Sequence, residues 1–258
     1  MNPAGNRSAF IQVITPQDSW HFNFSANEFW ASKTVFDVRI GSNRFCSSGA
    51  ELDICQNGIS LTGHIRYGPF TPIAYNIMGP FALMPFIECS HAVHSLRHTL
   101  WGSLLLNGRS LSFSGGQGYI EQDWGRSFPP KYAWLQANDL AGNACLFVSI
   151  ARIPYLGCVF TGCICVLRIG TREYRLATYL GVRILEWLQN SIVLRQGKYT
   201  LQICTQSSSG QKLLAPGNGA LTRAIHENPS CPAHIIFYEG ARILFEGASN
   251  TAGYEYVE

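Results

Sequence analysis

The stretch SLLLNGRSLSF, residues 103–113, decides the fold class of this chain. Asn107-Gly108 offers the two positive φ values that a two-residue type I′ turn requires, and apolar residues flank it on both sides, so Leu104–Phe113 is predicted to be a β-hairpin. Upstream, WHFNFS (20–25) places Trp20, Phe22 and Phe24 on one face and His21, Asn23 and Ser25 on the other, which is the two-residue repeat of a half-buried strand. FDVRI (36–40) and ISLTGHIRY (59–67) alternate in the same way, and further hairpins are predicted around Gly170, Gly197 and Gly240. A helical spacing occurs only in ALTRAIHE (220–227), after the turn-rich APGNG, where Leu221 and Ile225 predict about two turns of helix. Many short antiparallel strands imply an all-β chain built of barrel or sandwich units, which hide sheet edges by closing or by packing face to face. The composition changes at Phe128–Pro130, giving an expected boundary between units at 1–128 and 129–258.

Composition bounds the function. Of 258 residues 47% are hydrophobic and only 14% charged, too apolar for a disordered chain. A net charge of +3 without any Lys/Arg run argues against nucleic acid as a partner. The nine cysteines include no CxxC pair, which fits neither a disulfide scaffold nor a zinc ribbon. No apolar segment follows a basic start in the first 20 residues, so a reducing, cytoplasmic compartment is the expectation, with Cys163 and Cys165 buried as small apolar side chains. The most apolar stretch, IMGPFALMPFI (77–87), is broken by Pro80 and Pro85 and is too short to span a bilayer. It reads as a loop lining the core or as an apolar lip at the mouth of a lipid site, with peripheral membrane contact through residues 77–87.

The densest chemical constellation is GQGYIEQDWGRSFPPKYAWLQAN (116–138). In an extended YIEQDW, Glu121 and Asp123 share a face about 6.6 Å apart, at a rise of about 3.3 Å per residue. Two carboxylates buried together cannot both ionise cheaply, so one keeps its proton near neutral pH and becomes a general acid. The bland alternative pairs them with Arg126 or with amides of the Gly-rich turn. Trp124, Tyr132 and Trp134 offer ring faces to a cationic intermediate, or simply fill the core. In ECSHAVHSLRH (88–98), Glu88, His91, His94 and His98 are close enough in sequence for a proton relay, but a strand turns His91 away from His94 and His98, so no metal set is expected. GxSxG, P-loop and HExxH motifs are missing, which leaves carboxylate chemistry or pure binding.

Taken in order, MGPFALMPFIECSHAVHSL (78–96), GGQGYIEQDWGRSFPPKYAWLQAN (115–138), SIARIPYLGCVFTGCICV (149–166) and APGNGALTRAIHE (215–227) resemble the successive motifs of the tocopherol cyclase family in its short bacterial form. GYIEQDWGRSFP followed by W-L-Q-x-N is the most specific element, and the resemblance runs from about Ala9 to Tyr256. It implies two lipocalin-like antiparallel β units, a fold shared with carotenoid hydratases and some pericyclic cyclases, and a lipophilic substrate held in a barrel mouth. Full-length members carry an aromatic-rich strand upstream of the point where AFIQV falls, whereas eight residues precede Ala9 here, so the first unit is expected to be open at its start.

The implied reaction is closure of a ring on a prenylated aromatic or other isoprenoid. A trisubstituted alkene is protonated and a phenolic oxygen captures the tertiary cation, with no redox cofactor and no metal. Placed on the motif positions, Asp123 is the expected acid, Glu121 raises its pKa, and His91 or His98 accepts the phenol proton. Trp124 and Trp134 shield the cation, and Tyr119, Tyr132, Asn138 and Glu88 complete the substrate-facing set. The rivals are alkene hydration and a non-catalytic carrier or sensor of a hydrophobic small molecule. A β-sandwich glycosidase, which also places a Glu-x-Asp pair on one strand, is disfavoured by Arg126, Phe128 and two prolines where a further acid and a polar cleft belong.

Overall fold

A computed structural model describes residues 8–206, 210–217 and 220–258, with no side-chain description at Ala220 and Leu221. The chain is all-β and antiparallel. A first hairpin, β1 (Ser8–Ile14) and β2 (Ser19–Ser25), is followed by a sheet of β3 (Phe29–Ala31), β4 (Asp37–Ile40), β5 (Asn43–Cys46), β6 (Gly49–Gln56), β7 (Ile59–Tyr67), β8 (Cys89–Leu106), β9 (Arg109–Ser112) and β10 (Gly116–Gly125). Its order is β10-β8-β7-β6-β5-β4-β3, with β9 also paired to β8. The second sheet holds β11 (Tyr132–Ala137), β12 (Cys145–Tyr155), β13 (Cys158–Ile169), β14 (Arg172–Ala177), β15 (Arg183–Leu188), β16 (Ser191–Gln196), β17 (Tyr199–Thr205), β18 (Gln211–Gly217), β19 (Ala220–Glu239) and β20 (Arg242–Val257). Its order is β14-β13-β12-β11-β20-β19-β17-β16-β15, with β18 on β19.

Turn chemistry sets these registers. Asn107 and Gly108 both have positive φ, and Leu104 pairs with Leu111 across the turn, as a type I′ hairpin demands. Gly170, Gly197 and Gly240 each supply the positive φ at the β13–β14, β16–β17 and β19–β20 turns.

Neither sheet closes into a barrel. Across the gap in the second sheet, the Gln196 amide accepts from Ala177 N at 3.0 Å and donates to Arg175 O at 3.0 Å, so a side chain bridges β14 and β16 where no ladder forms. The hollow that a lipocalin would offer is filled: Leu135, Val148, Cys165, Leu167, Leu201, Ile235 and Phe237 pack inside the second sheet. A second core, with Ile11, Phe22, Ile54, Leu61 and Leu104, lies between the first hairpin and the first sheet. A third joins the two sheets through Met78, Val93, Leu96, Phe147, Ile164 and Val166. The first hairpin also reaches the second sheet, where the Gln12 amide donates to Leu214 O and accepts from Leu214 N, both at 2.9 Å.

The predicted helix over 220–227 is instead the start of β19. Leu221 and Ile225 are four apart, a spacing that keeps residues on one face of a helix and also of a strand. The deciding signal is the alternation that follows, with Arg223, Ile225 and Glu227 turned inward and Thr222, Ala224 and His226 exposed, while β18 supplies the backbone partners. Asn218 and Gly219 of the preceding turn lie outside the described residues. The cysteines are free among the described residues, with Cys163 and Cys165 buried. No helix among the described residues is long and apolar enough to cross a membrane.

Candidate acid–base site

The edge strand β10 lies antiparallel to β8, with Asp123 opposite His91 and Glu121 opposite Val93. Alternation along β10 sends Glu121 and Asp123 to one face, together with Tyr119. That face meets the outer face of the second sheet. There Trp134 is the register partner of both Ser149 and Glu255, and Glu255 that of Glu227. Five residues from four strands thus converge between the sheets: His91, Glu121, Asp123, Glu227 and Glu255.

The contacts divide into three. His91 Nδ1 lies 2.5 Å from Asp123 Oδ1. The two groups form a close ion pair, and neither of these atoms bonds to any other group among the described residues. Glu121 Oε2 accepts from the Tyr119 hydroxyl at 2.7 Å and from the Trp134 indole N–H at 3.1 Å. Both bonds fall on one oxygen, which leaves Oε1 to carry a proton. Glu255 Oε2 accepts from the Tyr132 hydroxyl at 2.6 Å, and Glu255 shares a hydrogen bond with Glu227.

Burial and mutual repulsion set the charges. Loss of water pushes the Glu121 carboxyl up to about 7, reinforced by Asp123 and opposed by His91, Tyr119 and Trp134. Burial likewise raises Glu255 to about 8, with Glu227 adding repulsion, and Glu227 to about 7, with Glu121 adding repulsion. For His91, burial disfavours the imidazolium, but Asp123, Glu121 and Glu255 outweigh it and the pKa is raised. The Cys89 thiol is pushed up to about 12 by burial and the adjacent carboxylates, which keeps it a neutral wall of the site.

Two openings reach this cluster. On one side a small cavity of about 50 Å³ is bordered by His91, Glu121, Asp123, Tyr132, Trp134 and Glu255. It adjoins an apolar one of about 40 Å³, walled in part by Met78, Phe81, Ile153 and Ile164 and touching Glu88 and His91. On the other side an open cleft of about 470 Å³ has Phe36, Val38, Phe45 and Tyr67 on one wall and Tyr119, Glu121, Trp134, Glu227 and Glu255 on the other. Only the cleft approaches the volume of a drug-sized ligand site, and the small cavities suit waters or the end of a chain.

Of the residues singled out from sequence, the structure brings together His91, Glu121, Asp123, Tyr119, Tyr132 and Trp134, with Glu88 at the margin. It does not bring in His98, which is buried beside Tyr67 and Phe70 with Nδ1 3.0 Å from Ser95 Oγ. His98 pairs with Gly118, seven residues along β8 from His91. Trp124 alternates to the opposite face of β10 and is half exposed. Asn138, buried just past β11, borders none of these openings. Glu227 and Glu255 were not anticipated. Glu227 was hidden by the helical reading of its segment, whereas the signal that could have found Glu255 is an acid placed between Tyr254 and Tyr256 in an aromatic strand. Among the described residues no group of His, Cys, Asp and Glu is arranged to hold a metal ion.

No protein-family model matches the chain, and no curated protein matches it. Solved structures do. Kievitone hydratase from Nectria haematococca superposes with a TM-score of 0.56 at 14% identity, covering 93% of this chain and 75% of that one. A protein described as an AttH from Nitrosomonas europaea superposes with a TM-score of 0.54 at 10% identity, covering 93% and 77%. At these identities the likeness shows a shared fold, and function has to be argued from the site.

Proposed function

We propose that the protein adds an O–H across an isolated alkene of a lipophilic isoprenoid-bearing substrate, closing a ring when the oxygen is the substrate's own phenol. The observation that carries this reading is Glu121, a carboxyl whose pKa is lifted to about 7, with one oxygen tied by Tyr119 and Trp134, between the His91–Asp123 pair and an aromatic cleft. The neutral Glu121 transfers its proton to the less substituted alkene carbon, leaving a tertiary cation. The Trp134 and Tyr119 rings line the same cleft and offer aromatic surface to that charge. The phenolic oxygen bonds to the cationic carbon and releases its proton to the neutral fraction of His91, which Asp123 orients. Return of that proton to Glu121 through solvent restores the site, so substrate and product have equal mass and no oxidant or reductant takes part. This moves the proton-donor role from Asp123 to Glu121, because Asp123 is already engaged with His91.

Hydration is the second reading. It is favoured by the small polar cavity against His91 and Asp123, which has room for a few waters, so that water in place of the phenol would capture the cation. The test is conversion of a panel of prenylated phenols followed by mass spectrometry. A retention-shifted product of unchanged mass supports ring closure, and a gain of one water supports hydration. Loss of conversion by about 100-fold or more in Glu121→Gln supports the acid assignment. Prenyl lipids that co-purify and are returned unchanged would make the protein a carrier instead.

A further inference from the structure

The uncharged loop 72–87 is bolted down at its base and bare at its tip. Arg175 donates to Tyr75 O and Asn76 O at 2.9 Å each, and the Tyr179 hydroxyl donates to Ile77 O at 3.0 Å. Beyond these anchors Leu83 and Phe86 are 86% and 85% exposed. Phe81 reaches across to Phe160, 5.8 Å between ring centroids, so the loop lies against the β12–β13 hairpin, whose own tip exposes Leu156 at 74% and Val159 at 54%. Two neighbouring tips thus present four large aliphatic or aromatic side chains to solvent, far more than isolated surface apolar residues require.

The backbone makes this arrangement more than incidental. Phe86 follows Pro85 in a turn and has φ +65°, a conformation that favours Gly or Asn. Leu156 has φ +47° in the two-residue turn Leu156-Gly157, the place taken by Asn57 and Asn107 in the Asn57-Gly58 and Asn107-Gly108 turns of the same chain. A leucine where this fold elsewhere uses asparagine is unfavourable for the turn and has no buried surface to compensate it. Charge is arranged to match. Residues 72–87 and 150–162 contain no acid, and the exposed Arg126 and Arg152 flank the tips, with the Arg126 N–H on Glu88 O at the end of the loop and the Arg152 N–H on Lys131 O. Directly beneath lies the apolar opening walled by Met78, Phe81, Ile153 and Pro154.

We propose that these two tips are a membrane-docking surface, in which Leu83, Phe86, Leu156 and Val159 enter the acyl region of a bilayer while Arg126 and Arg152 meet anionic headgroups. Apolar side chains flanked by cations are the composition that binds an anionic lipid interface. The inference does not depend on the reaction proposed above, and binding can be read with no turnover.

The test is co-sedimentation with phosphatidylcholine vesicles with and without a minority of phosphatidylglycerol. The protein is expected to pellet with the anionic vesicles and to partition roughly tenfold less for each of Leu83→Ser, Phe86→Ser and Leu156→Asn. Leu156→Asn should melt at an equal or higher temperature than the parent, since Asn suits the turn, so that weaker vesicle binding cannot be a folding defect. Arg126→Gln with Arg152→Gln should abolish the preference for phosphatidylglycerol. The proposal is overturned if the parent stays in the supernatant with both vesicles or if the triple tip variant pellets equally well. It is also overturned if the parent is a dimer in solution that the triple variant splits, which would make the tips a self-association surface.

Discussion

Replacing Glu121 by Gln should stabilise the protein, and only at high pH. Above the ordinary carboxyl value of 4.5 the unfolded chain gives up its proton, while the folded protein holds it until about 7. A carboxyl whose folded pKa is raised binds more protons in the native state across that window, so native stability falls as pH rises through it. The difference between 4.5 and about 7 corresponds to about 3 kcal/mol once both states are ionised. Gln stays neutral and can still accept from Tyr119 and Trp134 through its carbonyl oxygen, so the penalty disappears in the variant. His91, also raised, contributes stability that is present at low pH and lost as pH rises through its folded value. Glu121 is one of the charges that raise it, so the comparison is made at the two ends of the range, where either Glu121 or His91 is neutral and the two do not interact. Denaturant unfolding near pH 4.5 and near pH 9 is the assay. The two proteins should coincide at the lower pH, and the variant should gain about 3 kcal/mol at the upper one, or roughly 6–12 °C in Tm for a chain of this size. An equal gap at both pH values, or a less stable variant near pH 9, would refute a buried neutral Glu121.

Further expectations follow from the same contacts. Turnover of a prenylated phenol should have a narrow maximum near neutrality, with a rising limb as His91 loses its proton and a falling limb as Glu121 ionises at about 7, and a flat profile across that range would exclude both groups. Gly118→Ala drives a Cβ into the ring of the buried His98, and overpacking of this kind costs about 1–3 kcal/mol in chemical denaturation. A thiol reagent should label the exposed Cys55, Cys158 and Cys204 in the native protein and reach the buried Cys145, Cys163, Cys165 and Cys231 only after unfolding, as peptide mapping would show.

The strands were legible wherever one face is buried and a turn residue closes the hairpin, as at Ile59–Tyr67 and around Asn107-Gly108, because period and φ preference are local properties. ALTRAIHE was misread because a spacing of four serves a helix and a strand alike. The decision rests with β18, a neighbour that periodicity within the segment cannot reveal. The same limit applies to the site. Glu121 and Asp123 announce themselves by sharing a strand face, whereas Glu227 and Glu255 join them only through the pairing of β19 with β20 and the meeting of two sheets. His98 illustrates the converse: seven residues from His91 on one long strand, it packs between Tyr67 and Phe70 and serves the fold at a distance from the carboxylates.

The proposed chemistry needs a Glu121 carboxyl protonated near neutral pH between the sheets, and infrared difference spectroscopy of parent and Glu121→Gln protein reads that proton directly. A protonated-carboxyl component that the substitution removes, beside those of Glu227 and Glu255 which persist, and that is lost with a midpoint at about 7, is the predicted result. A midpoint near the ordinary 4.5, or a band that the substitution leaves untouched, would contradict it.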